Sequence, residues 1–211
     1  MNLPPPVAVS DQSAVEFYRE RLRQSSSDVY RGRSMVKMPE DLRIYQYVIE
    51  ASKPEVIVEF GTHSGASAIW FADQLDTFFG GGEVVTVDLH DSGIDDPRVR
   101  PIVGDLTIRS TIEEVHRLAD GRRVMISEDS AHDYPTTMAV LNEYSDLVHV
   151  GGWIVVEDTI VDDPVLNVWG VGSGVVRAID EFLDYSEVPF VRRDLGVYGV
   201  TSNRGGWLER V

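Results

Sequence analysis

The sequence predicts a doubly wound α/β fold, in which a mostly parallel, seven-stranded sheet ends in a C-terminal antiparallel hairpin. From Pro54 onward, short β-rich runs alternate with helical segments, which is the pattern of βαβ units. The β-rich runs are nearly continuous in apolar residues, as is typical of strands that helices cover on both faces. The last two runs, "FVRRDL" and "YGVTSN", are too close for a crossover helix, so we expect them to pair antiparallel.

The local pattern predicts the elements in chain order. "SAVEFYRERLRQ" places Val15, Tyr18 and Leu22 on one helical face, and "MPEDLRIYQYVIEAS" begins a second helix near Pro39. The strands and helices that follow are predicted in "VIVEF", "SGASAIWFADQL", "EVVTVDL", "RVRPIVGD", "TIRSTIEEVHRLA", "RVMISED", "TTMAVLNEYSDL", "GWIVVED" and "GVVRAIDEFLDY".

The chain length predicts a single domain. With 211 residues, of which 43% are hydrophobic, the chain can bury one sizeable core. We divide it into an N-terminal arm and helix, residues 1–34, and one folded domain, residues 35–211. Consecutive prolines in "MNLPPPVAVSDQ" predict an extended arm. The arm and first helix either mediate a homo-oligomer or form a flexible tail.

The composition excludes several classes of partner and site. The 35 acidic and 19 basic residues give a formal net charge of -16, which repels nucleic acids and anionic membranes. The absence of cysteine excludes disulfides, thiolate metal sites and a cysteine nucleophile. The N-terminus lacks the features of a signal peptide, and no run approaches the roughly 20 apolar residues of a membrane span. We therefore expect a soluble, cytoplasmic protein.

Acidic residues stand at the carboxyl ends of five predicted strands, where ligands bind in open α/β sheets. A lone acid at such a position is more often a helix cap or a turn residue. Five such ends in succession favour a ligand site. In chain order, the strand ends carry Glu59, Asp88, Gly104 with Asp105, Asp129, and Glu157 with Asp158.

The first of these ends, "EFGTHSG", differs from a dinucleotide-binding loop. Glu59 stands where the first glycine of that loop would be, and a carboxylate there repels a pyrophosphate. Gly61 and Gly65 let the backbone pass close to a ligand, and Asp88 is placed to accept both ribose hydroxyls. With Asp105 beside an adenine ring, this set favours S-adenosylmethionine, a sulfonium nucleoside without phosphate. The alternative is a tight turn at the glycines and an ordinary cap at Asp88.

Several motifs together resemble the cephalosporin hydroxylase family, whose members have the Rossmann-like class I methyltransferase fold. They are "MPEDLRIYQ", "VEFGTHSGASAIWFAD", "VTVDLHD", "VGD", "SEDSAH", "GGWIVVEDT" and "TSNRGGWLERV". The chain is also similar to the metal-dependent sugar O-methyltransferases of antibiotic biosynthesis. The resemblance implies an S-adenosylmethionine- and Mg²⁺-dependent O-methyltransferase that acts on a hydroxyl of a sugar or other small natural product.

The resemblance also implies roles for individual residues. Asp129, Glu157 and Asp158 correspond to the family's divalent metal ligands, and His132 corresponds to the general base of the related sugar methyltransferases. The chain departs from the family in "GVGSGVVRAI", residues 170–179, and in its short N-terminal segment, so the acceptor stays open. The implied cofactor contacts are Glu59, Gly61, Ser64 and Asp88, with Gly65 in the same loop and Asp105 near the adenine.

The chemistry of the metal and base residues agrees with these roles. The strands that precede Asp129 and Asp158 are expected to be neighbours, so both carboxylates can reach one ion. Hard oxygen ligands select Mg²⁺ or Ca²⁺ over zinc, and Mg²⁺, which retains water, leaves positions for substrate oxygens. Glu157 can join them only if the chain has left strand geometry, because adjacent strand residues point to opposite faces. His132 can accept a hydroxyl proton at neutral pH; otherwise it caps a helix or lies on the surface.

Two other functions are compatible with parts of the pattern. A non-catalytic partner would bind cofactor or substrate while a separate protein performs an oxidation, but it would not need the acids together with His132. A nicotinamide dehydrogenase is disfavoured by Glu59 and the missing first glycine. Trp153, Trp169 and Trp207 either line an aromatic pocket or pack in the core, which is the more frequent role of tryptophan near strand ends.

Overall fold

The computed structural model describes residues 13–25, 27–166, 172–197 and 199–211, and it confirms the predicted doubly wound α/β architecture. The helices in this part of the chain are α1 (Ala14–Ser25), α2 (Pro39–Ser52), α3 (Ala66–Phe79), α4 (Arg109–Ala119), α5 (Tyr134–Tyr144) and α6 (Val175–Tyr185). The strands are β1 (Val29–Tyr30), β2 (Arg33–Ser34), β3 (Val56–Phe60), β4 (Glu83–Asp88), β5 (Val99–Val103), β6 (Val124–Glu128), β7 (Trp153–Val156), β8 (Phe190–Arg193) and β9 (Trp207–Arg210).

Strands β3 to β9 form one seven-stranded sheet in the order β5-β4-β3-β6-β7-β9-β8. The pairs from β5 to β7 are parallel, whereas β9 is antiparallel to both β7 and β8. The strand order reverses at β3, which pairs with β4 on one side and with β6 on the other. Such a reversal opens a crevice at the carboxyl ends of the strands, and this crevice is where α/β sheets bind ligands.

The second strand of the C-terminal antiparallel pair differs from the expected one. "YGVTSN", residues 198–203, was expected to pair with β8, but Trp207–Arg210 does so instead. Within the described residues 199–203, Thr201 and Ser202 are buried in a loop, and their hydroxyls donate to the Asp41 carboxylate at 2.5 and 2.7 Å. These side-chain partners compete with strand pairing, which explains why the strand forms later in the chain.

Successive side chains of a strand point to opposite faces of the sheet, so the hydrophobic core is divided between the two faces. Helices α4, α5 and α6 cover the face that carries Val58 and Phe60 of β3. Helices α2 and α3 cover the opposite face, which carries Ile57. The longest of the described helices have 14 residues, and none of the described helices is both long and apolar enough to cross a membrane.

Two of the three tryptophans singled out in the sequence belong to this core. Trp153 and Trp207 are buried on the face that α2 and α3 cover. The ring centroids of Trp207 and Tyr45 lie 5.1 Å apart in an edge-to-face arrangement. These tryptophans are therefore packing residues, and Trp169 lies outside the described residues.

The N-terminal helix and hairpin pack against the domain. The Tyr18 hydroxyl of α1 donates to the Thr201 carbonyl oxygen. From the hairpin of β1 and β2, the Arg33 guanidinium donates to the carbonyl oxygens of Ser64 at 2.6 Å and Gly93 at 2.7 Å. Arg33 therefore joins the hairpin to the loops that follow β3 and β4, at the edge of the crevice. The first twelve residues, expected to form an extended arm, lie outside the described part.

Candidate active site

The crevice lies between the loops that follow β3 and β6. Gly61, the first residue after β3, has a φ of 97°, and its N–H donates to the Val87 carbonyl oxygen at 2.9 Å. Asp129, the first residue after β6, donates its N–H to the Phe60 carbonyl oxygen at 2.8 Å. The first bond holds the start of the loop after β3 against β4, and the second holds the start of the loop after β6 against the end of β3, at the point where the strand order reverses.

A cavity of about 360 Å³ lies beside the ends of β4 and β5. Asp88 and Asp105 are part of its lining, which contains no Lys, Arg or His among the described residues. The Asp88 carboxylate accepts backbone N–H groups from His63 at 2.9 Å and from His90 at 3.0 Å, one on each oxygen. These bonds fix the carboxylate at the strand end. An acidic lining without a basic residue suits a neutral or cationic nucleoside better than a phosphate.

A second cavity, of about 580 Å³, adjoins the first and shares Gly61, Asp88 and Ser130 with it. Its wall includes Thr62, His63 and Ser64 of the loop that joins β3 to α3, and Ser67 in the first turn of α3. The Ser64 hydroxyl donates to the carbonyl oxygen of Ser34 in β2 at 2.5 Å. The hairpin, the loop after β3 and the loop after β6 therefore enclose one continuous space.

Asp129, His132 and Asp158 come together in the wall of the larger cavity. One candidate ligand atom from each residue lies within 4.8 Å of the others. The His132 Nε2 atom is 3.5 Å from Asp129 Oδ1 and 3.8 Å from Asp158 Oδ2. The two acids meet because β6 and β7 are paired up to Glu128 and Val156, so the residues that follow both strands leave the sheet side by side.

Left-handed backbone conformations are concentrated in this wall. Five described non-glycine residues have positive φ, and three of them line the larger cavity: His63 (46°), His132 (50°) and Asp158 (51°). Such conformations cost about 1–3 kcal/mol each and are typical of functional sites. The turn at Asp158 is stabilised by its N–H, which donates to Asn203 Oδ1 at 2.8 Å.

Glu59 lies beneath the crevice and lines neither of these two cavities. It is fully buried on the same sheet face as Ile57, two residues earlier, and accepts a hydrogen bond from Thr86 Oγ1 at 2.6 Å. Burial raises the pKa of Glu59 to about 7, although the nearby Lys37 and hydrogen bonds from Ser67 and Thr86 oppose the rise. This position differs from the expectation that Glu59 faces the cofactor.

Glu157 occupies the same buried face and does not belong to the group of Asp129, His132 and Asp158. Its Oε1 accepts hydrogen bonds from the Tyr45 hydroxyl at 2.6 Å and from Ser127 Oγ at 2.7 Å. The Lys37 Nζ atom lies 2.6 and 2.7 Å from the two Glu157 oxygens, and 2.7 Å from Asp129 Oδ2. Lys37 therefore links the buried acid to the acid that faces the cavity.

The ionisation of these groups reflects their burial and mutual repulsion. Burial by itself opposes the charged form of Lys37, but the attraction of Asp129 and Glu157 outweighs it and raises the pKa of Lys37 above its ordinary value. Burial, followed by repulsion from Glu157, raises the pKa of Asp129. Burial, followed by repulsion from Asp129, raises the pKa of Asp158 to about 7. Both aspartates are therefore harder to ionise than aspartates in water, and a cation bound beside them would favour their charged forms.

A smaller cavity, of about 270 Å³, lies on the other side of Lys37 and Asp158. Leu22 of α1 and Ile160 contribute apolar surface to it, and Val36 is shared with the larger cavity. Helix α1 thus forms one wall of a partly apolar space beside the acids.

The structure brings most of the predicted site residues to the two main cavities. Gly65 instead is the N-cap residue immediately before α3, with a φ of 80°, and the Ile94 side chain packs against its backbone. Lys37 and Ser67 also line the larger cavity, and neither was predicted. The one sequence signal for Lys37 is the rarity of lysine, because the chain has a single other lysine, Lys53. The predicted residues found in the cavity linings are Gly61, Ser64, Asp88, Asp105, Asp129, His132 and Asp158.

The strand order, with β9 inserted antiparallel between β7 and β8, is that of a class I methyltransferase fold. The acids and glycines at the crevice agree with this fold. The sequence model of one family, described as "Rhamnosyl O-methyltransferase/CmcI", matches residues 23–211. The chain belongs to this family. The prediction of a methyltransferase of the cephalosporin hydroxylase type is thereby confirmed.

Curated relatives carry the name of this family. The rhamnosyl O-methyltransferase of Mycobacterium tuberculosis (strain ATCC 25618 / H37Rv) is 29% identical over 189 residues, which are 85% of this chain and 74% of that protein. The rhamnosyl O-methyltransferase of Mycobacterium leprae (strain TN) is 25% identical over 154 residues, which are 70% of this chain and 67% of that protein.

Solved structures share the fold. "cmcI-D160 Mg-SAM" is 21% identical with a TM-score of 0.64, and the match covers 99% of this chain and 89% of that chain. "MycE Methyltransferase from the Mycinamycin Biosynthetic Pathway in Complex with Mg and SAH" is 16% identical with a TM-score of 0.55, covering 95% of this chain and 55% of that chain. At these identities the likeness is one of fold.

Proposed function

We propose that this protein is an S-adenosylmethionine- and Mg²⁺-dependent O-methyltransferase whose acceptor is a hydroxyl of a sugar or of a sugar-bearing small natural product. One observation carries the proposal: Asp88 lines one cavity, and Asp129, His132 and Asp158 meet in the wall of the adjoining cavity. The family match and the relatives named rhamnosyl O-methyltransferase support the class of acceptor.

The smaller of the two main cavities fits the nucleoside part of the cofactor, which supplies a methyl group bound to a positively charged sulfur. Asp88 keeps free lone pairs after accepting its two backbone N–H groups, so it can accept the ribose hydroxyls. Asp105 uses Oδ1 to accept from Thr107 and lines the same cavity, and we assign it to the adenine end. We assign Gly61, which lines both cavities, and Ser64, which lines the larger one, to the methionine part.

The donor set of the larger cavity fits a hard divalent ion. Asp129 and Asp158 offer carboxylate oxygens, which Mg²⁺ prefers, at the edge of a cavity with room for retained water and substrate. When bound, Mg²⁺ lowers the pKa of a coordinated hydroxyl and fixes its orientation. We propose Asp129 and Asp158 as the primary ligands. Glu157, the third acid expected from the sequence, is held by Lys37 beside them.

His132 is proposed as the base that removes the acceptor proton. Its ring lies in the cavity wall, where an acceptor hydroxyl held by the neighbouring acids comes within reach. An imidazole can take a proton at neutral pH, and Asp129 and Asp158 would stabilise the cation that results. The contact with both acids also makes His132 a candidate metal ligand. The two roles predict different Mg²⁺ affinities when His132 is replaced.

The proposal is tested by methyl transfer from radiolabelled S-adenosylmethionine to rhamnosyl glycosides. We expect labelled product with MgCl₂, none with EDTA, and recovery when excess Mg²⁺ is restored. Calorimetry should show binding of S-adenosylhomocysteine. Transfer that persists in EDTA would contradict the metal role. Cofactor binding with no transfer to any hydroxylated acceptor would favour the non-catalytic partner.

Two further expectations accompany the function. We propose a cytoplasmic protein without a nucleic-acid partner, because its net charge of -16 repels phosphate backbones. A homo-oligomer stays a prediction, and light scattering of the purified chain measures it directly.

A further inference from the structure

We propose that the ammonium group of Lys37 is a resident cation of the site, which holds Asp129 and Glu157 together in the metal-free protein and competes with the divalent ion for them. This inference rests on the proposed metal site. The Lys37 Nζ atom lies 2.7 Å from Asp129 Oδ2 and 2.6 and 2.7 Å from the two Glu157 oxygens. An ammonium has three N–H donors, so these three acceptors use all of them.

Because Lys37 and Glu157 are buried, the positive charge of one must be balanced by the negative charge of the other. The Lys37 side chain is 3% exposed and that of Glu157 is 4% exposed. A buried charge is costly unless it is paired and hydrogen-bonded, and removing one member leaves the other uncompensated. Glu59, also fully buried, is a third acid whose charge acts on Lys37. Lys37 is therefore the cation that allows several acids to be buried beside one another.

A lysine fits this position better than an arginine would. Of the 19 basic residues, 17 are arginines, and the one lysine besides Lys37 is the exposed Lys53. An ammonium is a compact charge that donates in three directions, whereas a guanidinium is a planar fork suited to one carboxylate at a time. The three converging oxygens of Asp129 and Glu157 match the ammonium.

Lys37 and a divalent ion held by Asp129 and Asp158 would share one carboxylate, that of Asp129. Asp129 gives Oδ2 to Lys37, while its Oδ1 faces His132 Nε2 at 3.5 Å, on the side where Asp158 stands. An ion bound by Asp129 and Asp158 would thus be repelled by the ammonium a few ångströms away. Glu157 becomes available as a further ligand only when Lys37 withdraws.

Two consequences follow for this site. Lys37 keeps the acids close together in the absence of metal, so the metal-free protein is stabilised. The same ammonium weakens the binding of the divalent ion, so that the ion exchanges more easily than in a site made of the three acids alone.

The test compares Lys37→Met with the wild type and with Lys53→Met, a control that removes the other lysine at an exposed position. Metal-free protein is titrated with MgCl₂ by calorimetry, and thermal unfolding is followed in EDTA. We expect Lys37→Met to bind Mg²⁺ at least about tenfold more tightly and to unfold at a lower temperature in EDTA. Lys53→Met should match the wild type in both measurements.

A charge-balanced variant, Lys37→Met/Glu157→Gln, keeps the test decisive if Lys37→Met does not fold. It removes the ammonium together with the carboxylate that the ammonium neutralises, so it should bind Mg²⁺ at least as tightly as the wild type. Mg²⁺ binding about tenfold weaker than in the wild type would overturn the inference, because Glu157 would then serve the metal directly while Lys37 is present.

The outcomes separate this inference from the proposed function. If the wild type binds Mg²⁺ and Lys37→Met binds it no more tightly, the competition is refuted while the metal site stands. If neither protein binds Mg²⁺, the metal site and the inference both fail.

Discussion

The carbonyl oxygen of Asp129 lies 1.9 Å from the position that a Cβ atom on Gly61 would occupy. A side chain on Gly61 would therefore push apart the loops after β3 and β6. The sequence suggested that this glycine lets the backbone approach a ligand, but its first requirement is the approach of another loop. That loop carries Asp129, so the packing at Gly61 positions a proposed metal ligand.

Gly61→Ala should destabilise the fold by about 3 kcal/mol or more, because it combines a positive φ with a clash against backbone. Gly80→Ala is a matched control: φ at Gly80 is 75°, and no atom lies within 4 Å of the added Cβ. The control should lose only about 1 kcal/mol. Urea unfolding measures both variants, and equal losses would contradict the importance of the contact with Asp129.

His132→Ala should lower kcat by about 10²–10⁴-fold, as expected for the loss of a general base. Mg²⁺ and S-adenosylhomocysteine should bind with unchanged affinity in calorimetry. His116→Ala, which removes a half-buried imidazole bonded to the Glu143 carbonyl oxygen and lining neither main cavity, is the control and should keep full turnover. A marked loss of Mg²⁺ affinity in His132→Ala would instead assign His132 to the metal.

Asp129→Asn and Asp158→Asn should each weaken Mg²⁺ binding by at least about tenfold, because each removes a charged oxygen ligand. Neither residue lines the cavity that holds Asp105, so binding of S-adenosylhomocysteine should change little. Calorimetric titrations with MgCl₂ and with the nucleoside measure the two effects separately. Unchanged Mg²⁺ affinity in both variants would refute the proposed metal site.

Asp88→Ala should show the reverse pattern, with weaker nucleoside binding and retained Mg²⁺ binding. Loss of hydrogen bonds from the ribose to a charged acceptor corresponds to about 1.5–3 kcal/mol, or roughly ten- to hundredfold in affinity. Asp105→Ala, in the same cavity, is the comparison for the adenine end. If Asp88→Ala bound S-adenosylhomocysteine as well as the wild type, the ribose would have to lie elsewhere.

Asp41 provides a pH-dependent test of the buried contact between α2 and the loop before β9. Burial raises the pKa of Asp41 to about 6, although hydrogen bonds from Thr201 and Ser202 lower it. An aspartate in the unfolded chain has a pKa near 3.9, so the folded state holds the proton more readily between about pH 4 and 6. The contribution of Asp41 to the free energy of unfolding therefore decreases as pH rises through this window and is constant above it.

Asp41→Asn should remove this pH dependence. Between about pH 4.5 and pH 7, the wild type should lose about 2 kcal/mol more of its unfolding free energy than the variant does. Urea unfolding at both pH values measures the difference, with the exposed Asp95→Asn as control. Parallel pH profiles for wild type and Asp41→Asn would show that the carboxyl does not titrate in this window.

The sequence alone determined the parts of this protein that depend on local pattern. Alternating β-rich and helical runs predicted the doubly wound fold. The carboxyl ends of parallel strands lie at one edge of a sheet, and this predicted the convergence of Asp129 and Asp158 and the position of Asp88. Both signals are contained in a few consecutive residues, together with a general rule of sheet topology.

Only the tertiary structure decided which way the other acids face and what neutralises them. Strand alternation turned Glu59 and Glu157 into the face under α2 and α3, and side-chain hydrogen bonds with Asp41 moved the last strand from residues 198–203 to Trp207–Arg210. Lys37 meets Glu157 across 120 residues of sequence. A contact of that range depends on the packing of whole elements, so no local pattern in the sequence could predict it.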